Sequence, residues 1–208
     1  MSTSTSEAVS SATVHRTPGD LPAAPRIMGI HHSAWRCRDA AETRWFYESA
    51  CGLELEAAMV FNEAPGSGLP VRYMHLFFKL ADGNFVAFFD VPDSAKEEYF
   101  RQRSGFNMHF AMEVATLEEL EAFKRRWEAH GLTVYGPADH HFCHSIYTHD
   151  PNGIQVEITC KTPAHDAIMA GERAQREEIM AKWTADTAPV KAARLKVVPV
   201  AAGPGAVQ

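Results

Sequence analysis

Three side chains of metal-ligand type stand in strand-like stretches of this chain, two of them at corresponding places: His32 and His109, with Glu157. The histidines lie in apolar stretches, "GIHHSAWRC" and "GFNMHFAMEV". His32 is seven residues ahead of Asp39, and His109 is seven ahead of Thr116. Both followers are residue types that cap helix N-termini. Glu157 sits in "IQVEITC", where Ile154, Val156, Ile158 and Cys160 alternate onto one face and Glu157 points to the other. A carboxylate in mid-strand is costly unless it is paired or bound to a cation. Two imidazoles and a carboxylate on one side of a metal leave other coordination positions open. That is the arrangement for Fe(II) oxygen chemistry, and Zn, Mn and Ni also accept it. Each residue has a plainer role as well: a strand histidine is often a hydrogen-bonded core residue, and a strand Glu can pair with an Arg. The joint match across two registers favours the metal.

The elements that place these residues repeat with a period near 75 residues. Module one, residues 26–92, opens with the strand "IMGIHHSAWRC". A helix follows over "AAETRWFYESAC", capped by Asp39 and closed by Gly52, and then come the strands "LELEAAMVFN", "VRYMHLFFKL" and "NFVAFFDV". Module two, residues 104–162, opens with "GFNMHFAMEV", whose core face is expected to hold Phe106, Met108, Phe110 and Met112. Its helix starts with a Thr116/Glu119 capping box, carries Leu120, Phe123 and Trp127 as an apolar stripe, and ends at Gly131. The strands "LTVYGP", "HSIYTHD" and "IQVEITC" complete it. The fold class is therefore α+β, two βαβββ modules packed into one domain over residues 26–162. Aligning the last hairpins on Gly83 and Gly153 puts Ala87 at the place of Glu157.

The flanks differ from this pattern. Residues 1–25 are rich in Ser, Thr, Ala and Pro and read as a disordered lead. Residues 163–208 read as a helix with Ile168, Met169, Ile179, Met180 and Trp183 on one face, followed by an arm that packs on this subunit or a neighbour. With 46% hydrophobic and 22% charged residues and a net charge of −6, the chain is of ordinary globular composition. No basic run suggests nucleic acid, and no apolar stretch suggests a membrane span or secretory signal. Four cysteines without C-x-x-C spacing are expected to be reduced, in keeping with a cytoplasmic location. Another histidine cluster, His140, His141 and His144 in "ADHHFCHS", can supply an acid–base group or form a polar surface loop.

The segments "GIHHSAWRCRDAAETRWFYESACGLEL", "NMHFAMEVATLEELEAF" and "SIYTHDPNGIQVEIT" resemble the vicinal oxygen chelate superfamily over roughly residues 27–160. That superfamily includes glyoxalase I, fosfomycin-resistance proteins and extradiol dioxygenases. The resemblance implies paired modules forming one cup-shaped mixed sheet around a divalent metal, with a C-terminal helical extension outside it. It carries the metal ligands over to His32, His109 and Glu157. Glyoxalase I has a further carboxylate where this chain has Ala87, so the ligand set resembles that of the ring-cleaving dioxygenases. These also carry a tyrosine ten residues ahead of the carboxylate, which corresponds to Tyr147. A second histidine before the first ligand, as in "GIHH", resembles the hydroquinone-cleaving branch and gives His31 a substrate-side or supporting role. The acid–base histidine of catechol-type enzymes has no counterpart, since Ser94 and Ala95 lie near its place. That leaves the work to His31, His140, His141 or His144.

The expected activity is cleavage of a hydroxylated aromatic ring with O2 on Fe(II), or Mn(II), with Trp35, Phe110 and Phe142 as candidate pocket walls. The alternative is a glyoxalase- or fosfomycin-resistance-like isomerase or thiol transferase using Mn, Ni or Zn. It would need a base or a cationic subsite to receive its substrate, and the strand cations of module one are Arg36, Arg72 and Lys79. A homodimer is expected by analogy.

Overall fold

The computed structural model describes residues 24–194, so most of the proposed N-terminal lead and the last part of the arm lie outside the described residues. The chain divides into two units, Met1–Ile30 and His31–Gln208. Within the first, residues 24–30 have no regular secondary structure and are exposed.

The second unit contains both modules. Module one holds β1 (His32–Cys37), α1 (Ala40–Arg44), β2 (Glu54–Glu63), β3 (Pro70–Lys79) and β4 (Phe85–Asp90). Asp39 caps α1, its side chain accepting from Glu42 N at 2.8 Å. The helix then widens into a π-helical turn, Trp45–Ala50, which buries Phe46, Tyr47 and Ala50. Short 3-10 turns at Pro92–Ser94 and Glu97–Phe100 lead to module two. There β5 (His109–Glu113) is followed by α2 (Leu117–Ala129), β6 (Tyr135–Asp139), β7 (Cys143–His149) and β8 (Gln155–Lys161). The capping box forms as expected: Thr116 accepts from Glu119 N, and the Glu119 side chain accepts from Ala115 N. Phe106 departs from expectation. It lies in a turn ahead of β5 and is fully exposed, because the strand begins only at His109.

The paired βαβββ modules are therefore present, and their eight strands hydrogen-bond as two four-stranded sheets rather than one. The orders are β1-β4-β3-β2 and β5-β8-β7-β6, each with one parallel pair. The registers are identical. Ala34 pairs with Ala87 and Phe77 with Ala87 in the first sheet; Ala111 pairs with Glu157 and Tyr147 with Glu157 in the second. The correspondence of His32 with His109, Ala87 with Glu157 and Phe77 with Tyr147 thus holds in three dimensions.

Each sheet has an inner and an outer face, set by strand alternation. The inner faces share one core, in which Cys37, Phe46, Tyr47, Phe78 and Phe88 of module one join Leu120, Trp127, Ile146, Val156 and Ile158 of module two. Trp35 of β1 stacks on Phe110 of β5 at 4.7 Å. The turn "DPNG" of module two locks onto module one. Tyr47 Oη donates to Asp150 Oδ2 at 3.1 Å, and the backbone N–H of Arg38 donates to Asn152 Oδ1 at 2.8 Å. Gly153 in this turn has φ 78°, and a Cβ there would meet the carbonyl oxygens of Phe100 and Arg101 at 2.6 Å.

The C-terminal helix is longer than the sequence suggests. α3 (His165–Arg194) runs through Pro189 and includes the start of the expected arm. Its apolar stripe is present but uncovered: Met169, Ile179, Met180 and Trp183 are all exposed.

Candidate metal centre

Glu157 occupies β8, the strand flanked by β5 and β7, and is only 6% exposed. On the outer face of this sheet, His109 Nε2 lies 3.5 Å from Glu157 Oε2. The other ring nitrogen of His109, Nδ1, donates to the carbonyl oxygen of Gly105 at 2.6 Å. A carbonyl cannot donate, so this bond places a proton on Nδ1. In the neutral ring it leaves the Nε2 lone pair facing a carboxylate oxygen. Two acceptors so placed repel unless a proton or a cation stands between them. Metal bonds of about 2.1 Å allow one ion to touch both atoms. The Nδ1 bond to a backbone carbonyl is also the usual way a metal-binding imidazole is oriented.

Tyr147 stands on β7 directly opposite Glu157. Its hydroxyl is 3.3 Å from Glu157 Oε1 and 2.7 Å from His140 Nε2. Burial, with the nearby Glu157 charge adding to it, pushes the Tyr147 hydroxyl above its usual range, so it is a protonated phenol at neutral pH. His140, Tyr147 and Glu157 form a continuous hydrogen-bonded row. It lines an open cavity of about 770 Å³ together with His109, Phe142 and Gln155.

The other sequence candidates are placed differently. His144 alternates away from Tyr147 on β7; its Nδ1 lies 3.8 Å from Asp139 Oδ1, and it does not line the cavity. His141 adopts φ 69° in the turn between β6 and β7, where its carbonyl accepts from Thr162, and it too is outside the lining. Of the cluster, His140 alone reaches Tyr147. The strand β7 begins at Cys143, so odd-numbered residues share the Tyr147 face and His144 does not. Trp35 and Phe110 stack on the inner face and do not line this cavity, although Trp35 borders a smaller one beside β1, whereas Phe142 does line the cavity. His165, the first residue of α3, also lines it. No sequence signal marked it, since its position depends on where α3 starts.

His32 lies on the outer face of the first sheet. His31 Nδ1 and His32 Nδ1 are 2.8 Å apart, one donating to the other, which leaves His32 Nε2 free. Its ring neighbours there are His75 at 6.1 Å and Phe77 at 5.6 Å. Among the described residues, no three His, Cys, Asp or Glu side chains converge on a point that would hold a metal. Within one chain, then, His109 and Glu157 fit a divalent ion and His32 is not brought to them.

The chain was compared with known proteins. A search of curated proteins gives no match. Among solved structures, a glyoxylase/bleomycin resistance protein/dioxygenase domain from Frankia sp. EAN1pec has 15% identity and a TM-score of 0.54, covering 67% of this chain and 96% of that one. A glyoxalase/dioxygenase from Nostoc punctiforme has 20% identity and a TM-score of 0.49, covering 73% and 99%. The fosfomycin resistance protein FosX of Listeria monocytogenes, complexed with Mn(II) and sulfate, has 20% identity and a TM-score of 0.47, covering 68% and 99%. The superfamily includes metal-dependent enzymes, and members bind divalent metals. The family model matches residues 29–158, which span most of both modules and include His32, His109 and Glu157. With the duplicated βαβββ register and the His109–Glu157 pair, this match makes the chain a member of the glyoxalase/bleomycin resistance protein/dioxygenase superfamily.

Proposed function

We propose that the protein is a divalent-metal-dependent dioxygenase that opens a hydroxylated aromatic ring with O2. We further propose that its metal is held jointly by two copies of the chain. His109 and Glu157 come from one copy and His32 from the other, oriented by His31. The observation that carries this reading is the outer-face geometry. One sheet presents a two-ligand half-site flanked by Tyr147 and His140, and the other presents a lone free imidazole on an aromatic surface. A symmetric pairing of the two outer faces would complete two sites at once.

A metal held there, Fe(II) in this reading, would supply Lewis acidity and redox chemistry. The protein's own residues do the rest. The row His140–Tyr147–Glu157 is placed to take the proton of a substrate hydroxyl and to return it to the ring-opened product. Ala87 matters as well. It is fully buried at the place of Glu157, so the first module offers no carboxylate, and the ligand set stays at two imidazoles and one carboxylate.

The isomerase or thiol-transferase alternative needs a base or a cationic subsite for its substrate; Arg103 and Lys161 line the cavity, while the three cations of the first module's strands are engaged elsewhere. Arg36 is bonded to Val91 O and Ser94 Oγ, Arg72 pairs with Asp93, and Lys79 pairs with Glu56. No helix among the described residues is long and apolar enough to cross a membrane. Cys37, Cys51, Cys143 and Cys160 are free and buried, and burial pushes the Cys37 and Cys51 thiols up to about 12. Cys37 and Cys51 are inert packing residues, and four free thiols are in keeping with a reducing, cytoplasmic setting.

The test is anaerobic loading with Fe(II), Mn(II), Ni(II) or Zn(II), followed by air and a panel of catechols and hydroquinones. Oxygen uptake with a new chromophore in the Fe(II) or Mn(II) sample alone supports the dioxygenase. Turnover of a methylglyoxal–thiol adduct without oxygen uptake overturns it.

A further inference from the structure

α3 spans 30 residues and none of them is buried. It is about 45 Å long. From Met169 onward every residue is exposed except Thr187, which is partly covered. Met169, Ile179, Met180, Trp183 and Val190 nonetheless project within an arc of about 100°. A helix draws most of its stability from burying such a stripe. The charges of α3 are divided along its length. The half from His165 to Ile179 carries Asp166, Glu172, Glu177 and Glu178 against Arg173 and Arg176, a net of −2. The half from Met180 to Arg194 carries Lys182, Lys191 and Arg194 against Asp186, a net of +2. The two halves cancel, so the polar side lacks the excess of Lys and Arg with which an amphipathic helix lies on an anionic membrane.

We infer that α3 pairs antiparallel with α3 of a second copy, about a two-fold axis at the helix midpoint between Ile179 and Met180. This goes beyond the shared-metal reading and does not rest on it. The axis sets the acidic half of each helix beside the basic half of the other, whereas a parallel pair would set like beside like. Ile179 and Met180 pack against their own copies, and Met169 comes opposite Val190 of the second copy. The same axis accounts for Arg176, which falls within the apolar arc between Met169 and Trp183. It comes opposite Trp183 of the second copy, where a guanidinium stacks on the indole face. In the single chain its contacts are on its own helix, with the Arg173 carbonyl and with Glu177. A surface complementary to itself under a two-fold rotation fits a second copy of the chain.

Two measurements on the full chain test this. The first is the dissociation constant, from light scattering over a dilution series, for the wild type and Trp183→Glu. Trp183 is 61% exposed, so the change leaves the core intact, and circular dichroism checks the fold. Dissociation is expected to become at least about tenfold easier. The second is crosslinking with a short bis-maleimide. The native cysteines are buried, so introduced cysteines are the ones that react. The double variant Met169→Cys/Val190→Cys is expected to give a covalent dimer and no larger species, while Met169→Cys and Val190→Cys alone give none. A monomeric wild type, or a Trp183→Glu dissociation constant within about twofold of wild type, overturns the inference. So does crosslinking of either single variant with itself, which marks a parallel pair, or a ladder of species beyond the dimer. Binding to anionic vesicles that Trp183→Glu abolishes with no change in association would assign the stripe to a membrane and overturn it as well.

Discussion

A metal shared between two copies makes a quantitative prediction that a metal held within one chain does not. Consider His32→Ala and Glu157→Gln, each purified alone. Every His32→Ala dimer lacks the free imidazole in both sites, and every Glu157→Gln dimer lacks the carboxylate in both. His32 is exposed on a sheet face, and Gln matches Glu in shape, so neither change opens a hole in the core. If the two variants are unfolded together and refolded as an equal mixture, about half of the dimers are heterodimers. In a heterodimer one site combines the intact His109 and Glu157 of the first variant with the intact His32 of the second. Its other site carries both lesions. Each heterodimer therefore has one of two sites restored, and the mixture should regain about a quarter of wild-type metal capacity and turnover. Heterodimers isolated with two affinity tags should reach about half. The assay is tightly bound metal per dimer after gel filtration, with oxygen uptake as the second readout. The null value differs sharply, because a site formed within one chain gives no recovery at any mixing ratio. Heterodimers that bind no more metal than either parent would refute the shared site. So would wild-type monomers that bind one ion each with full affinity.

Other expectations follow from the same geometry. Tyr147→Phe keeps the ring but removes the hydroxyl between His140 and Glu157. It should lower kcat by about 10²-fold or more while metal content stays at the wild-type level, as measured by turnover and metal analysis. His140→Ala should lower kcat in the same direction, whereas His144→Ala, which lies off the cavity, should leave kcat within about twofold. Asp150 accepts from the backbone N–H groups of Asn152 and Ile154 and from Tyr47, and burial raises its carboxyl above the ordinary value of 3.8. Its stabilising contribution is thus fully present below that value and declines as pH rises through the raised folded-state value. Asp150→Asn should cost about 1–3 kcal/mol in urea unfolding near pH 4, and the gap to wild type should narrow toward pH 7. A gap that widens instead would show that the carboxylate is the favoured buried form.

The register of the repeat was the most legible feature of the sequence, for a physical reason. Asp39 and Thr116 each cap a helix seven residues after a strand histidine, and the turns at Gly83 and Gly153 fix the phase of the closing hairpins. Period-two alternation then assigns every residue to one of two faces, so His32, His109, Ala87 and Glu157 could be aligned without a structure. The boundaries were less legible. "GFNM" alternates like a strand but turns ahead of β5, leaving Phe106 exposed, and Pro189 sits inside α3 rather than ending it. What alternation cannot say is what lies opposite a face. His32 and His109 occupy the same place in their modules whether the two outer faces look at one another or away. What joins the modules is contact across them: the Trp35–Phe110 stack and the Tyr47–Asp150 bond tie one to the other. Both contacts join residues far apart in sequence, and no local pattern announces either. The aromatic outer face of the first sheet carries the same lesson. "VRYMHLFFKL" and "NFVAFFDV" have large apolar residues at both parities, as a strand covered on both sides does. Phe77, Phe85 and Phe89 nonetheless lie on the face away from the shared core. An apolar surface of that composition beside a free imidazole is the feature of one chain that most calls for a second.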